Sequence, residues 1–174
     1  MMDPFSDAME KILWEFRDFF KQEVRSLMAH LANHTWTQVW MKFGSYEINS
    51  GVGPYQAWPQ LAQVTQDDRV SLGYTPNDPL VRSGELRESV KYKSGWRWAE
   101  VGTNNKVMLY HELGSSDGRH PPQRAIFGPV LLENEEKFKD MIDLHMKTLL
   151  QRRQQSVGPT VPITEISSSF SSVD

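Results

Sequence analysis

Hydrophobic side chains recur at helical spacing along the N-terminal part of the chain. Their positions form one apolar stripe: Phe5, Met9, Ile12, Leu13, Phe16, Phe19, Phe20, Val24, Leu27 and Leu31. Residues three or four positions apart lie on one face of an α-helix. Pro4 suits the first helical position, and Asp3 before it can accept hydrogen bonds from the first turn. The pattern therefore predicts one long helix from residue 4 to about residue 43, ended by Gly44.

A second group of apolar residues lies on the opposite side of this helix in its C-terminal half. The group comprises Met28, Ala32, Trp36, Val39, Trp40 and Phe43. Either the helix breaks near Asn33 and His34, or its second half buries two faces, and a helix with two apolar faces usually needs a neighbour. We therefore expect the first stripe to face the subunit's own core, and the aromatic residues off it to contact another subunit. These residues are Trp14, Trp36, Trp40 and Phe43.

Two stretches in the middle of the chain alternate between apolar and polar residues, as strands with one buried face do. The first covers about residues 89–94 and the second about residues 96–103, where Trp96 and Trp98 alternate with polar residues. The pattern predicts a hairpin that turns at Gly95.

Short helices and one final helix complete the predicted fold. Helical spacing and stop signals predict helices at about 84–89, 107–113 and 129–153, and a third strand is expected at about 125–127. The predicted fold class is α+β, with a small, mainly antiparallel β-sheet packed against a long N-terminal helix and a C-terminal helix. The predicted organisation is an N-terminal helix (1–43), an α+β core domain (44–153) and a Ser-rich C-terminal arm (154–174).

The C-terminal arm contains six serines and two prolines and has few large apolar groups. Such a composition does not form a core of its own. Besides valines, its apolar residues are Ile163, Ile166 and Phe170. Their spacing suits shallow pockets on a neighbouring subunit, so we expect the segment to act as an assembly arm.

Composition narrows the classes of function. The formal net charge of −3 gives no global basic field for wrapping nucleic acid, and the absence of cysteine excludes disulfides and thiolate metal sites. No basic segment precedes an apolar run at the N-terminus, so no secretory signal is expected, and no apolar run reaches the length of a membrane span. The six tryptophans favour assembly, because Trp is enriched in well-packed interfaces.

Two histidine-containing patterns are incomplete as metal sites. His111 and Glu112 begin like a zinc-protease helix, but that motif needs a second His four residues after the first, where Ser115 stands. His30 and His34 lie one helical turn apart without a third ligand nearby. Packed or interface histidines are the favoured interpretation of both pairs, and no metal ion is expected.

Glu85 and Glu88 resemble a carboxylate pair for glycoside cleavage, but they lie beside Arg82 and Arg87 in a short charged helix. Solvated ion pairs are the favoured interpretation. No nucleophile elbow, phosphate loop or dinucleotide motif is present in the sequence. We therefore expect no catalytic residues and no cofactor.

Basic residues cluster around the first predicted strand. They are Arg82, Arg87, Lys91, Lys93 and Arg97. Such a cluster could contact DNA phosphates. Alternation along a strand would divide these charges between two faces, so a coherent groove does not follow from the sequence.

Four fragments occur in a fixed order in the second half of the chain. They read LVRSGELRESV at 80–90, VGTN at 101–104, YHELG at 110–114 and PPQRAIFGP at 121–129. In this order and spacing they resemble the virion-morphogenesis or tail-completion family of tailed double-stranded DNA bacteriophages. The family carries an L-x-x-S/T-G-x-L-x-x-S-I/V turn and helix, a V-G-T/S-N strand end, a Y-x-x-x-H-x-x-G segment and a P-x-R-P-F-L-x-P segment before the last helix.

The resemblance covers roughly residues 58–140 and has two departures. Ala125 follows Arg124 where the family has proline, and the loop 115–120 lacks the family's basic, glycine-rich run. The segment after Arg153 has no counterpart in the family. The matching fragments are expected to be fold elements of a ring protein.

The resemblance implies a tail-completion or tail-terminator protein, located in the neck or tail of a virion that assembles in the bacterial host cytoplasm. Its implied partners are copies of itself in a cyclic hexamer, the tail tube protein, the head–tail connector or stopper protein, and the genomic DNA in the lumen, with no membrane. The alternatives are a head-side connector or stopper ring, and a DNA-binding accessory protein that uses the basic cluster. A cell-wall enzyme is the most distant alternative.

Overall fold

The structure is a computed structural model that describes residues 4–46, 52–114 and 121–156. Its elements, in chain order, are α1 (Pro4–Lys42), α2 (Gln63–Ser71), α3 (Glu85–Glu88), β1 (Lys91–Ser94), β2 (Ala99–Gly102), α4 (Lys106–Leu113), α5 (Phe127–Glu133) and α6 (Glu135–Ser156). The predicted α+β class is confirmed, because a two-stranded antiparallel sheet packs on a long N-terminal helix, which the C-terminal helices also contact.

Helix α1 runs for 39 residues without a break near Asn33 and His34. At a rise of about 1.5 Å per residue it is roughly 58 Å long. It ends as predicted at Gly44, whose φ of 80° is left-handed. The Gly44 N–H donates to the Pro79 carbonyl at 2.9 Å, so this turn also ties the helix to the segment before α3.

The β-hairpin pairs Lys91 with Gly102 and Ser94 with Ala99. Its connection is longer than the predicted turn, because Trp96 and Trp98 lie in the loop and not in the second strand. The Gly95 N–H donates to the Trp98 carbonyl at 2.9 Å. The Trp98 indole lies over Gly95 and fills the space that a side chain would need there.

The predicted strand at about 125–127 is wrong, and so is the prediction of one uninterrupted last helix. Residues 121–126 have no regular secondary structure, helix α5 begins at Phe127, and α6 begins after Asn134. A side chain of α4 accepts the backbone N–H groups of residues 126–128, so a neighbouring strand is not needed to satisfy them.

The core forms around the C-terminal half of α1. Its buried residues are Val39, Phe43, Trp58, Val90, Met108, Ile126 and Val130. Three elements pack on this half of α1: the hairpin, the short helix α5 and α6. The second apolar group of α1 therefore supplies the core, contrary to the expectation that the first stripe would do so along the whole helix.

Candidate assembly surface and buried arginine cavity

The N-terminal half of α1 presents large apolar side chains to solvent. We call this surface the exposed α1 face; its residues are Phe5, Met9, Ile12, Leu13, Phe16 and Phe20. Phe5 is 71% exposed and Leu13 is 61% exposed, although both belong to the stripe that predicted an inward face. Trp14, off this stripe, is 58% exposed, so its side chain is available for the predicted contact with another subunit.

The exposed α1 face lies beyond the elements that cover the rest of α1. Helix α6 runs antiparallel to α1, because His34 contacts Asn134 (3.0 Å, Nε2 to Oδ1) whereas Glu23 lies 3.7 Å from Arg152 (Oε1 to Nη1). From that contact, α6 continues only to Ser156, about 6 Å further along its axis. The residues of α1 before Glu23 span about 28 Å in the same direction. The first turns of α1 therefore extend past α6.

The exposed α1 face lies at the upper end of the range for apolar patches on monomeric proteins. Its six side chains expose 38–71% of their surface, which is on the order of 600 Å² in total at roughly 100 Å² per side chain. The largest apolar patch on a typical monomer is about 300–600 Å², and each partner of a standard protein interface contributes about 800 Å². A surface of this size and composition is typical of a docking surface.

The other predicted interface residues of α1 are used within their own domain. Phe43 is only 5% exposed and belongs to the core. The Trp36 indole N–H donates to the Val90 carbonyl at 3.1 Å, and the Trp40 ring lies 4.1 Å from the Arg87 guanidinium. Contact of Trp40 with another subunit stays a prediction. The prediction that Trp36 and Phe43 lie off the core-facing side of α1 is wrong, because Phe43 belongs to the core and Trp36 packs against it. The reason is that the hairpin packs on the second apolar group.

The predicted interface residues Ile163, Ile166 and Phe170 lie outside the described residues.

The five basic residues near the hairpin differ in their neighbours. Arg82 pairs with Asp68 at 3.0 Å, Arg87 stacks on Trp40, and Arg97 stacks on Trp96. Lys91 and Lys93 lie on the same side of β1 and line one depression of about 230 Å³, which Glu100 also lines. The DNA-facing role of these five residues stays a prediction, and the structure shows a shared depression for the two lysines alone.

Glu112 links α4 to α5 through its carboxylate. Oε2 accepts the N–H groups of Ile126 at 2.8 Å and Phe127 at 3.2 Å, and Oε1 accepts the N–H of Gly128 at 3.0 Å. These are first-turn donors that α5 cannot satisfy internally, and a negative charge there also matches the helix dipole. The carboxylate that resembled part of a zinc-protease motif therefore acts as a helix cap.

His111, the neighbour of Glu112, lies beside a buried arginine. Its carbonyl accepts the Arg124 N–H at 2.8 Å. Burial, together with the positive charge of Arg124, lowers the pKa of His111 from 6.5 to about 4. His111 is therefore neutral near pH 7.

Two arginines are nearly inaccessible to solvent. Arg124 is 4% exposed and donates from Nη2 to the Pro59 carbonyl at 3.0 Å, and burial lowers its pKa. Arg69 is 5% exposed and donates to the carbonyls of Thr75 and Val81. Both arginines line a cavity of about 570 Å³ with His111, between α2, α4 and the segment before α3. We call it the arginine cavity.

Sequence reasoning missed this cavity, because nothing local distinguishes a buried arginine from an exposed one. Arg124 lies in a fragment that was assigned to the fold, and Arg69 is one of many charged residues on a short polar helix. Only the close approach of α2 to residues 79–82 and of α4 to residues 121–124 removes them from water.

Within the described ranges, no three His, Asp or Glu side chains come together as metal ligands. His34 of the His30–His34 pair is hydrogen-bonded to Asn134. Among the same residues, every helix is too short or too polar to cross a membrane.

Comparison of this chain with protein-family models, curated proteins and solved structures finds no match. The class of protein that the fold defines is an α+β domain built on one long helix, half of which extends beyond the core.

Proposed function

We propose that this chain is a structural ring protein of a tailed-bacteriophage virion. In this proposal it closes the tail and joins the tail tube to the head–tail connector around the DNA channel. Identical subunits, six to match the tail tube, associate head-to-tail. A closed ring requires this geometry, in which a surface of one subunit meets a different surface of the next.

The observation that carries the proposal is the exposed α1 face. Exposure of on the order of 600 Å² of contiguous apolar surface to water is unfavourable, and association that buries this surface would lower the free energy. The projecting part of α1 can reach a neighbouring subunit without disturbing the core, because the core lies around the other half of the helix. Trp14 adds an exposed aromatic anchor of the type that dominates interface energetics.

The roles of the sequence fragments support a structural protein. In the fragment YHELG, Glu112 caps α5 and Gly114, with φ of 71°, ends α4. In the fragment around residues 80–90, Gly84 has φ of 90° immediately before α3. A carboxylate that already accepts three backbone N–H groups is poorly placed to act as a base. These roles are structural, and this supports a protein that assembles over one that catalyses a reaction.

The assembly is tested by measuring particle mass in solution, alone and with the tail tube protein of the same genome. Light scattering and negative-stain microscopy should show rings of about six copies, formed alone or on tail tubes. Rings that bind a head connector and not the tube would favour the head-side alternative. A monomer at all concentrations that binds DNA in a strongly salt-dependent manner would contradict the proposal and favour the accessory protein.

The role of the exposed α1 face is tested with the double variant Ile12→Ser and Leu13→Ser. Both residues are more than half exposed, so the variant should stay folded by circular dichroism and fail to form rings. The matched control is Val64→Ser with Val70→Ser on α2, which replaces two apolar residues of similar exposure. If the α1 variant assembles as well as the control, the exposed α1 face is not the interface.

A further inference from the structure

We propose that the arginine cavity binds a carboxylate side chain presented on a peptide segment of another protein chain. The inference goes beyond the ring function and does not depend on it. It rests on the burial of Arg69 and Arg124, on unused hydrogen-bonding atoms beside them, and on the mixed lining of the cavity.

The two arginines are buried without an ion pair among the described residues, although the carboxylate of Glu85 is also part of the cavity lining. Arg124 and Arg69 are 4% and 5% exposed, and each donates hydrogen bonds only to backbone carbonyls. Neither forms an ion pair within the described part of the chain, whereas the exposed Arg82 pairs with Asp68. A buried charge is costly unless it is paired, and of the described residues three arginines but a single carboxylate, Glu85, line the cavity, so its lining favours an anion.

Two polar atoms at this cavity have no hydrogen-bond partner among the described residues. They are Nε of Arg124 and Nδ1 of His111, and both are buried. Few buried polar atoms in folded proteins lack a partner, so each one needs an explanation, and a bound anion would provide one here. A carboxylate fits the planar fork of an arginine and can also accept a hydrogen bond from a protonated imidazole. Binding of an anion would raise the pKa of His111, which burial and Arg124 hold at about 4.

The rest of the lining favours a peptide over a free anion. The cavity has a volume of about 570 Å³, which lies within the usual range for ligand sites and is much larger than a phosphate ion requires. Leu61, Leu80, Leu86 and Val107 contribute apolar walls. A peptide that carries an acidic residue between apolar ones would cover these walls as well as pair with the arginines.

Binding can be followed through His111 by NMR of the full chain labelled on histidine. The probe is the capped peptide acetyl-Leu-Glu-Leu-amide, and acetyl-Leu-Gln-Leu-amide is its matched control. The acidic peptide should shift the His111 resonances saturably, raise the pKa of His111 above about 4, and bind at least about tenfold more tightly than the control. Equal binding of the two peptides, or no binding, overturns the proposal.

Other sources of negative charge form separate arms of the experiment. If inorganic phosphate or succinate shifts His111 as strongly as the acidic peptide, the cavity takes any free anion and the peptide assignment is wrong. Asp117 and Glu47 lie outside the described residues. If Asp117→Asn or Glu47→Gln alone lowers the pKa of His111, this chain supplies its own carboxylate and the proposal also fails.

Arginine variants test the geometry of recognition. Arg124→Lys keeps the charge but removes the fork, so peptide affinity should fall at least about tenfold. Arg152→Lys on α6, far along the chain and not part of the cavity lining, is the matched control and should bind normally. Retained affinity in a folded Arg124→Lys variant contradicts the proposal.

A gain-of-charge variant keeps the proposal testable even if Arg124→Lys does not fold. Val107 lines the cavity one helical turn before His111 and is 49% exposed. Val107→Glu should raise the melting temperature relative to Val107→Gln and block the peptide, because it supplies the missing carboxylate. Lys106→Glu, in the same first turn but not part of the lining, controls for the helix dipole. If Val107→Glu stabilises no more than this control does, the arginines do not require a carboxylate.

Discussion

Replacing Glu112 tests whether its carboxylate joins α4 to α5. In the structure this side chain accepts three backbone N–H groups, from Ile126, Phe127 and Gly128, at 2.8–3.2 Å. Glu112→Ala removes all three acceptors and leaves the first turn of α5 without a cap. Because Ile126 is fully buried and lies in the core cluster, removal of these hydrogen bonds should weaken the packing of the core as well as the start of α5.

The expected loss of stability depends on whether water can reach each N–H group that loses its acceptor. The Ile126 N–H belongs to a residue with 0% exposure, so leaving it unsatisfied should cost about 2 kcal/mol. Phe127 and Gly128 are partly exposed, and water can replace much of the lost bonding there, so together they add about 1 kcal/mol. The free energy of unfolding should fall by about 3 kcal/mol, which lowers the Tm by about 6–12 °C.

Thermal and urea unfolding, followed by circular dichroism, measure this change. Glu112→Gln keeps one oxygen acceptor but loses the charge, and it should cost about half as much. Glu136→Ala is the matched control, because its carboxylate is exposed and pairs only with Lys139, so its removal should change stability by less than about 0.5 kcal/mol. Hydrogen exchange at residues 126–128 should accelerate in Glu112→Ala alone.

The capping argument is refuted if Glu112→Ala melts within a degree or so of the unaltered chain. A different outcome would contradict the non-catalytic interpretation of the motif. If the chain shows a hydrolytic activity that Glu112→Ala abolishes without a change in Tm, then the carboxylate has a chemical role that its hydrogen bonds do not indicate.

Three further predictions concern a histidine, a glycine and the C-terminal arm. The pKa of His111 is about 4 in the folded chain and 6.5 in the unfolded chain, so the free energy of unfolding should fall as the pH drops from 6.5 through 4. Urea unfolding should show a smaller fall in His111→Gln than in the unaltered chain, and equal falls would contradict this. Gly128→Ala should lower the free energy of unfolding by about 1–3 kcal/mol in thermal melts, because the added Cβ would collide with the Tyr55 ring. Gly102→Ala is the control, since an added Cβ there has open space, and equal effects of the two variants would contradict the contact. Truncation after Arg153 should leave the Tm unchanged and weaken the ring or its docking in mass measurements; a truncated chain that assembles and docks normally would show that the arm is passive.

Local signals were sufficient for most of the secondary structure. The bounds of α1 follow from Pro4 at its start and from Gly44 at its end, where a left-handed φ of 80° stops the helix. The cores of both strands lie inside the stretches that alternation predicted. These features depend on residues that are close in the chain, so a single sequence contains the information for them.

Contacts between distant residues decided the candidate sites. Glu112 caps a helix that begins 15 residues later, and without that contact the segment 125–127 has the composition of a strand. The guanidinium of Arg124 binds the Pro59 carbonyl, 65 residues earlier in the chain. No pattern of neighbouring residues encodes either contact, so neither the cap nor the arginine cavity could be predicted.

The sequence by itself predicted a long helix over residues 4–43 with two apolar groups on its surface, and left open a break near Asn33 and His34 that the structure does not contain. Only the tertiary structure decided which group forms the core. The hairpin, α5 and α6 pack against α1, and the core residues that this packing buries, Val39 and Phe43, lie in its C-terminal half. The N-terminal half carries an equally apolar stripe, but α6 ends before covering it. Helical periodicity reports which side chains share a face, whereas burial depends on how far the neighbouring elements reach, and that is a property of the whole fold.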